Sequence, residues 1–168
     1  MAIWKGKRDG GLPKGAPQRL ADVVRGQMPD ADDVTRRVVT AVAGLLACVA
    51  YADREYAPTE ERAVRAELGR VHGLGQAGVE AVCGVLREDI VDLAQVGDQV
   101  WTRELKELGE RELRVEVLDA LVELAAADHE LSLSEVNYLR RLTTALGLTQ
   151  ADYVALQSRH RDKLSLLR

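Results

Sequence analysis

The chain has 168 residues, of which 46% are hydrophobic and 30% are charged, and its formal net charge is −4. This length suits a single domain with a sizeable core, the apolar content excludes a disordered chain, and the negative charge argues against a general nucleic-acid binder. A transmembrane helix is excluded because no run of about 18 apolar residues occurs.

The chain begins with MAIWKGKRDGG, in which basic residues are not followed by an apolar stretch. This pattern argues against a secretory signal, so we expect a cytoplasmic protein. Trp4 among lysines suits contact with a protein partner or peripheral contact with an anionic membrane surface, and it equally suits packing back onto the domain.

Residues 1–33 differ in composition from the rest of the chain. They hold three of the four prolines and five of the fourteen glycines. Up to Met28 they carry six basic and two acidic residues, which gives +4 and leaves −8 for the remainder. We therefore expect an irregular basic tail over residues 1–33, which can contain a short helix near Gln18–Arg25, and one helical domain over residues 34–168.

From residue 33 onward, apolar residues recur at spacings of three and four, which predicts an all-α protein of about seven helices. No window alternates with period two, so no strand is predicted, and the segment Asp89–Gly97 is ambiguous. The predicted helices run from Asp32 or Asp33 to about Asp53, from Pro58 to Gly73, over Gln76–Glu88, near Asp98–Leu108, over Glu110–Ala127, from Leu133 to Gly147, and from about Gln150.

The sequence contains an internal repeat. The segment AYADREYAPTEERAVRAELGR at 50–70 aligns with AAADHELSLSEVNYLRRLTTA at 125–145, and a G-L-x-Q-A stretch follows each copy. The preceding helices also match, since Val42 and Leu46 correspond to Val117 and Leu121. Two copies favour two pseudo-symmetric three-helix units, packed face to face as one compact bundle.

Both copies carry three acidic residues at matched positions. The aspartate lies at the end of one helix, the first glutamate lies in the connecting turn, and the second glutamate lies in the first turn of the next helix. They are Asp53, Glu55 and Glu60 in the first copy and Asp128, Glu130 and Glu135 in the second.

Helix capping accounts for part of this pattern. Ser132 and Glu135 have the spacing of a capping box, and Glu60 after Pro58 occupies the equivalent place, where the helix dipole favours a carboxylate by about 0.3–1 kcal/mol. An aspartate at a helix C-terminus faces the negative end of the dipole, so both aspartates need compensation. Turn amides, amides of the following helix and a bound cation are the alternatives.

Three carboxylates within eight residues suit a hard divalent cation such as Ca²⁺, Mg²⁺ or Mn²⁺. The repeat is not an EF-hand, because the sixth position counted from Asp53 is Pro58 and from Asp128 is Leu133, where an EF-hand loop needs glycine.

The segments ADHELSLSE with ALGL, and less closely ADREYAPTE with GLG, resemble the TerB-like family, which is named for tellurite-resistance protein B. The family pattern is a helix ending in A-D-G-x-[VIL], then [ST]-x-x-E and a later G-[LI]. The resemblance covers about Val34–Leu156 and implies an all-α domain of about seven helices.

The resemblance also implies divalent-metal binding by acidic residues in the two inter-helix loops. The implied ligands are Asp53, Glu60, Asp128 and Glu135, with Glu55 and Glu130 as auxiliaries. Arg54 and His129 stand where the family has glycine. Arg54 adds a positive charge that disfavours a cation, whereas His129 can be an extra ligand.

The sequence predicts a protein that is not an enzyme. It lacks HExxH, GxSxG, P-loop and GxGxxG motifs, and Cys48 and Cys83 suit small apolar positions inside helices. We therefore expect a metal-binding module in a stress-response context. The alternative is a metal-free interaction or scaffold domain that docks a protein partner through its basic tail or an acidic face; the oligomeric state is left open.

Overall fold

The computed structural model describes residues 11–127 and 131–166, with side chains described up to His160. This part of the chain forms helices and no strands, which confirms the all-α class. None of the described helices is long and apolar enough to cross a bilayer. The helices are α1 (Ala16–Gln27), α2 (Asp33–Ala50), α3 (Pro58–Leu68), α4 (Gly75–Val96), α5 (Asp98–Leu108), α6 (Arg111–Ala125), α7 (Leu133–Ala145) and α8 (Gln150–Leu166).

Helix α1 is the element that raises the count above seven. Gly15 precedes it with φ 97°, Pro17 lies in its first turn, and Leu20 and Val24 are fully buried against the core. The sequence allowed a short helix near Gln18–Arg25 in this segment, and α1 covers that stretch and extends it at both ends. Apolar residues four apart give this segment one buried face, and the helix packs against α4 and α2.

Helix α2 is the centre of the bundle and contacts α1, α3, α4, α5 and α6. Of the two predicted starting residues, Asp32 is the cap, because its side chain accepts a hydrogen bond from the Thr35 amide at 2.7 Å. Gly44 lets the Trp101 ring of α5 lie directly on the helix backbone, since a Cβ at that position would be 2.2 Å from Trp101 Cε2. This close approach fixes α5 on α2.

Helix α4 resolves the ambiguous segment. It continues through residues 89–96 with a kink at Asp89, where φ is −112° and ψ is 16°. Ile90 and Leu93 after the kink are buried, so core packing holds the second part of the helix. The buried Asp89 carboxylate pairs with the Arg19 guanidinium of α1 at 2.5 Å.

The two copies of the repeat have corresponding helix contacts. In the first, α2, α3 and α4 contact one another, and in the second α6, α7 and α8 do so. Contacts of α6 with α2 and α3 join the two copies, and α5 lies against α2 and α7. A pseudo-twofold axis relating the copies stays a prediction.

Candidate functional site

The first acidic turn connects α2 to α3. Asp53 Oδ1 accepts a hydrogen bond from the Glu55 amide at 3.0 Å, so a turn amide compensates one oxygen of the aspartate. Arg54 between them has φ 65°, in the left-handed region. Glycine adopts this conformation without the steric cost that a side chain brings, which gives a physical reason for the glycine of the TerB-like pattern at this position.

The second acidic turn connects α6 to α7, and Asp128, His129 and Glu130 lie outside the described residues. The capping box that follows them is confirmed. The Ser132 amide donates to Glu135 Oε2 at 2.7 Å, and the Glu135 amide donates to Ser132 Oγ at 3.2 Å. Glu135 therefore has a structural role at the start of α7.

Glu60 has the matched position in α3 but makes no capping hydrogen bond. The N-cap residue there is Ala57, which has no side-chain oxygen to start a capping box. The carboxylate of Glu60 instead accepts a hydrogen bond from Thr59 Oγ1 at 2.9 Å. The helix dipole still favours this carboxylate, but no capping hydrogen bond fixes its orientation.

The first acidic turn and the start of α7 face one cleft of about 1250 Å³. Asp53, Glu60 and Glu135 line it, so the structure brings together three of the six predicted ligands. Glu55 is exposed and is not part of the lining. The apolar part of the lining includes Val49, Val91, Leu124, Leu133 and Leu139.

Sequence reasoning missed the third side of the cleft, which comes from α5 and α7. Asp98 at the start of α5 lines it and lies 3.8 Å from the Arg141 guanidinium, which in turn stacks 4.9 Å from the centre of the Tyr138 ring. The only available signal was the position of Asp98 directly after Gly97 at a helix start, and it did not indicate a neighbour 43 residues later.

The cleft carries more negative than positive charge among its described residues. Four carboxylates line it, and two guanidinium groups, those of Arg54 and Arg141, offset them. Burial raises the pKa of Cys48 to about 12 and raises the pKa of Tyr138 well above its ordinary value. Both groups are therefore neutral at physiological pH, and both cysteines are buried as predicted.

The carboxylate oxygens in the cleft are the ligand type that Ca²⁺, Mg²⁺ and Mn²⁺ prefer. Within residues 11–127 and 131–160, however, no three His, Cys, Asp or Glu side chains are close enough together to hold a metal ion as they stand. The chemistry of the side chains suits such a cation, while their present rotamers do not form a ligand cluster.

Comparison with known proteins identifies the family. The family model described as tellurite resistance protein TerB matches residues 39–158, which include both acidic turns and helices α3 to α7 entire. Neither the curated proteins nor the solved structures give a significant match. The match spans well over half of the chain, and the chain therefore belongs to the tellurite resistance protein TerB family.

Proposed function

We propose that the cleft is a divalent-cation site of a non-enzymatic TerB-family domain that acts in a stress response. The observation that carries the proposal is that Asp53 and Glu60 from the first repeat and Glu135 from the second line one cleft. A cation there would offset the mutual repulsion of these carboxylates. Asp128 and Glu130 are further ligands by prediction from the repeat.

Binding requires a small rearrangement of the side chains. Asp53 and Glu60 lie in or beside an exposed turn, and rotation between staggered rotamers is fast for such residues. The second oxygen of Asp53 has no hydrogen-bond partner among the described residues, so it can coordinate without breaking the Asp53–Glu55 turn. Glu135 lines the cleft from the start of α7, where its Oε2 belongs to the capping box.

A binding role rather than a catalytic role is supported by the other polar groups of the cleft. A general acid or base works best when its pKa lies near the working pH. Cys48 and Tyr138 have pKa values raised far above that range by burial. We propose that the lining carboxylates serve as ligands or as charges.

Calorimetric titration of chelator-treated protein with Ca²⁺, Mg²⁺ and Mn²⁺ tests the proposal. We expect heat of binding and a raised melting temperature, since a ligand at about 100 times its Kd stabilises the fold by about 2.7 kcal/mol. Asp53→Asn combined with Glu60→Gln should abolish both effects. Glu112→Gln combined with Glu116→Gln changes the same charge on exposed positions of α6 and is the matched control.

Arg54→Gly gives an opposite test in the same turn. Removing the guanidinium from the cleft should raise cation affinity by roughly two- to fivefold, and glycine retains the left-handed backbone. If millimolar metal produces neither heat nor a change in melting temperature, the site does not bind divalent cations. The second candidate, a metal-free docking domain, then stands, and it is favoured by Leu133 and Val91, which line the cleft and are 77% and 45% exposed.

A further inference from the structure

The topology brings the beginning of α1 close to the cleft. Helix α1 runs antiparallel to α4, because Arg19 pairs with Asp89 while Gln27 Cβ lies 3.4 Å from the position of a Cβ on Gly78. The beginning of α1 therefore lies beside the end of α4. Residues 91, 94 and 95 of that end line the cleft.

The length of the segment is sufficient to enter the cleft. Cys48 Sγ lies 3.9 Å from the Leu93 carbonyl oxygen, so the end of α2 that lines the cleft is at the same end of the bundle. Leu12 packs against the core, so residues 1–10 supply the reach, and they can span up to about 33–36 Å when extended. This span equals about six turns of a helix.

Charge and apolar character are complementary between the segment and the cleft. Residues 1–10 carry three basic side chains, Lys5, Lys7 and Arg8, and one acidic side chain. The cleft has four carboxylates against two guanidinium groups. Ile3 and Trp4 supply apolar surface, and Leu133 and Val91 are two of the four large hydrophobic residues that are exposed in the described part of the chain. Exposed apolar side chains beside a charged groove are typical of a binding surface.

We propose that residues 1–10 dock into this cleft of the same molecule, with Trp4 against Leu133 and Val91 and with the basic side chains beside the carboxylates. The segment is then an internal ligand that any external ligand of the cleft must displace. The inference does not depend on metal binding, and its test is carried out in the presence of chelator.

The test uses a spin label on the full-length chain and the indole N–H signal of Trp4 in the NMR spectrum. Both native cysteines are buried, so a label attaches to an introduced cysteine. Ser134→Cys places it on an exposed residue of the cleft. Gln76→Cys is the matched control on an exposed residue of α4, about 22 Å along the helix from Val91. Trp4→Phe assigns the signal, and the buried Trp101 reports that the variants are folded.

We expect the Trp4 signal to lose most of its intensity with the label at residue 134 and little with the label at residue 76. Glu60→Gln combined with Glu135→Gln should restore the signal, because glutamine keeps the capping box but removes two charges. The control, Glu112→Gln combined with Glu116→Gln, should leave the Trp4 signal attenuated by the label at residue 134.

Two results would overturn the proposal. Equal bleaching by both labels, or none by either, would show that Trp4 has no preference for the cleft. Bleaching that appears only in mixtures of separately labelled and observed molecules, and that disappears on dilution, would show that the segment of a second copy binds instead. Metal titration of the same variants without chelator tests the cation site independently, so failure of the docking proposal can be distinguished from failure of metal binding.

Discussion

Helices α3 and α7 begin at matched positions of the repeat, yet only α7 begins with a side-chain cap. Ser132 and Glu135 complete a capping box, whereas Ala57 leaves Glu60 without a partner at the N-cap. A glutamate at the third helical position therefore becomes a cap only if the N-cap side chain can reciprocate. The matched glutamate is therefore part of a cap in α7, whereas in α3 it lines the cleft without a capping hydrogen bond.

The two halves also differ inside the core. Gly44 of α2 accepts the Trp101 ring, whereas the matched residue of α6 is Asp119, which lies 2.8 Å from His160 Nε2. Glu67 of α3 is buried, and the matched residue of α7 is the buried Leu142. The repeat therefore preserves the helices while the packing partners and the buried charges have diverged.

The largest effect should come from Gly44→Ala. The added Cβ would overlap the Trp101 ring, which is fully buried, and overpacking of this kind costs about 3 kcal/mol. The free energy of unfolding in urea measures the loss. Gly84→Ala is the matched control, because nothing lies within 4 Å of a Cβ there, and it should stabilise α4 by about 0.5–1 kcal/mol. Equal effects of the two changes would show that Trp101 does not rest on Gly44.

The second prediction concerns the buried carboxyl of Glu67. Burial and the charge of Glu123 raise its pKa from 4.5 to about 7, while the neighbouring Arg70 acts in the opposite direction. A folded-state pKa above the unfolded value means that this group stabilises the fold below about pH 4.5 and loses that contribution as the pH rises through about 7.

Glu67→Gln removes this titration. The difference in free energy of unfolding, variant minus wild type, should increase by about 2 kcal/mol from pH 5 to pH 8. Urea unfolding at each pH measures the difference. Glu80→Gln is a control on an exposed glutamate that pairs with Arg65. If the curves of wild type and Glu67→Gln stay parallel across this range, the carboxyl of Glu67 is not strained by burial.

The smallest effects should come from substitutions at the N-cap residues of α7 and α3. Ser132→Ala removes the cap of α7 and should cost about 1 kcal/mol. Ala57→Ser should stabilise α3 by about 0.5–1 kcal/mol, because Ala57 already has the extended backbone of an N-cap, with φ −77° and ψ 163°. Thermal unfolding measures both changes.

Ala57→Ser should also change the affinity of the cleft for a cation. The new serine would engage Glu60 in a capping box and draw its carboxylate away from the cleft, so the fold becomes more stable while cation affinity falls. Calorimetric titration of this variant checks the second effect. Increased stability with unchanged affinity would show that Glu60 is not a ligand.

Sequence periodicity predicted most of the helices, because a helix with one buried face has apolar residues spaced three and four apart. At α1 it allowed only a short helix, because the prolines and glycines nearby suggested irregular chain. It left the second part of α4 undecided across the kink at Asp89. The repeat located the acidic turns. It could not show that Asp98 and Arg141 complete the cleft, because their proximity depends on how α5 packs between the halves.

The pairing of α1 with α4 has a consequence for synthesis of the chain. Arg19 and Asp89 are 70 residues apart, so the ribosome completes α1 well before its main packing partner exists. At about 5–20 residues per second, the buried face of α1 waits roughly 4–14 s for α4. During that interval only α2 is available to cover part of this face. We therefore expect the first half of the molecule to acquire its full native packing only when α4 emerges.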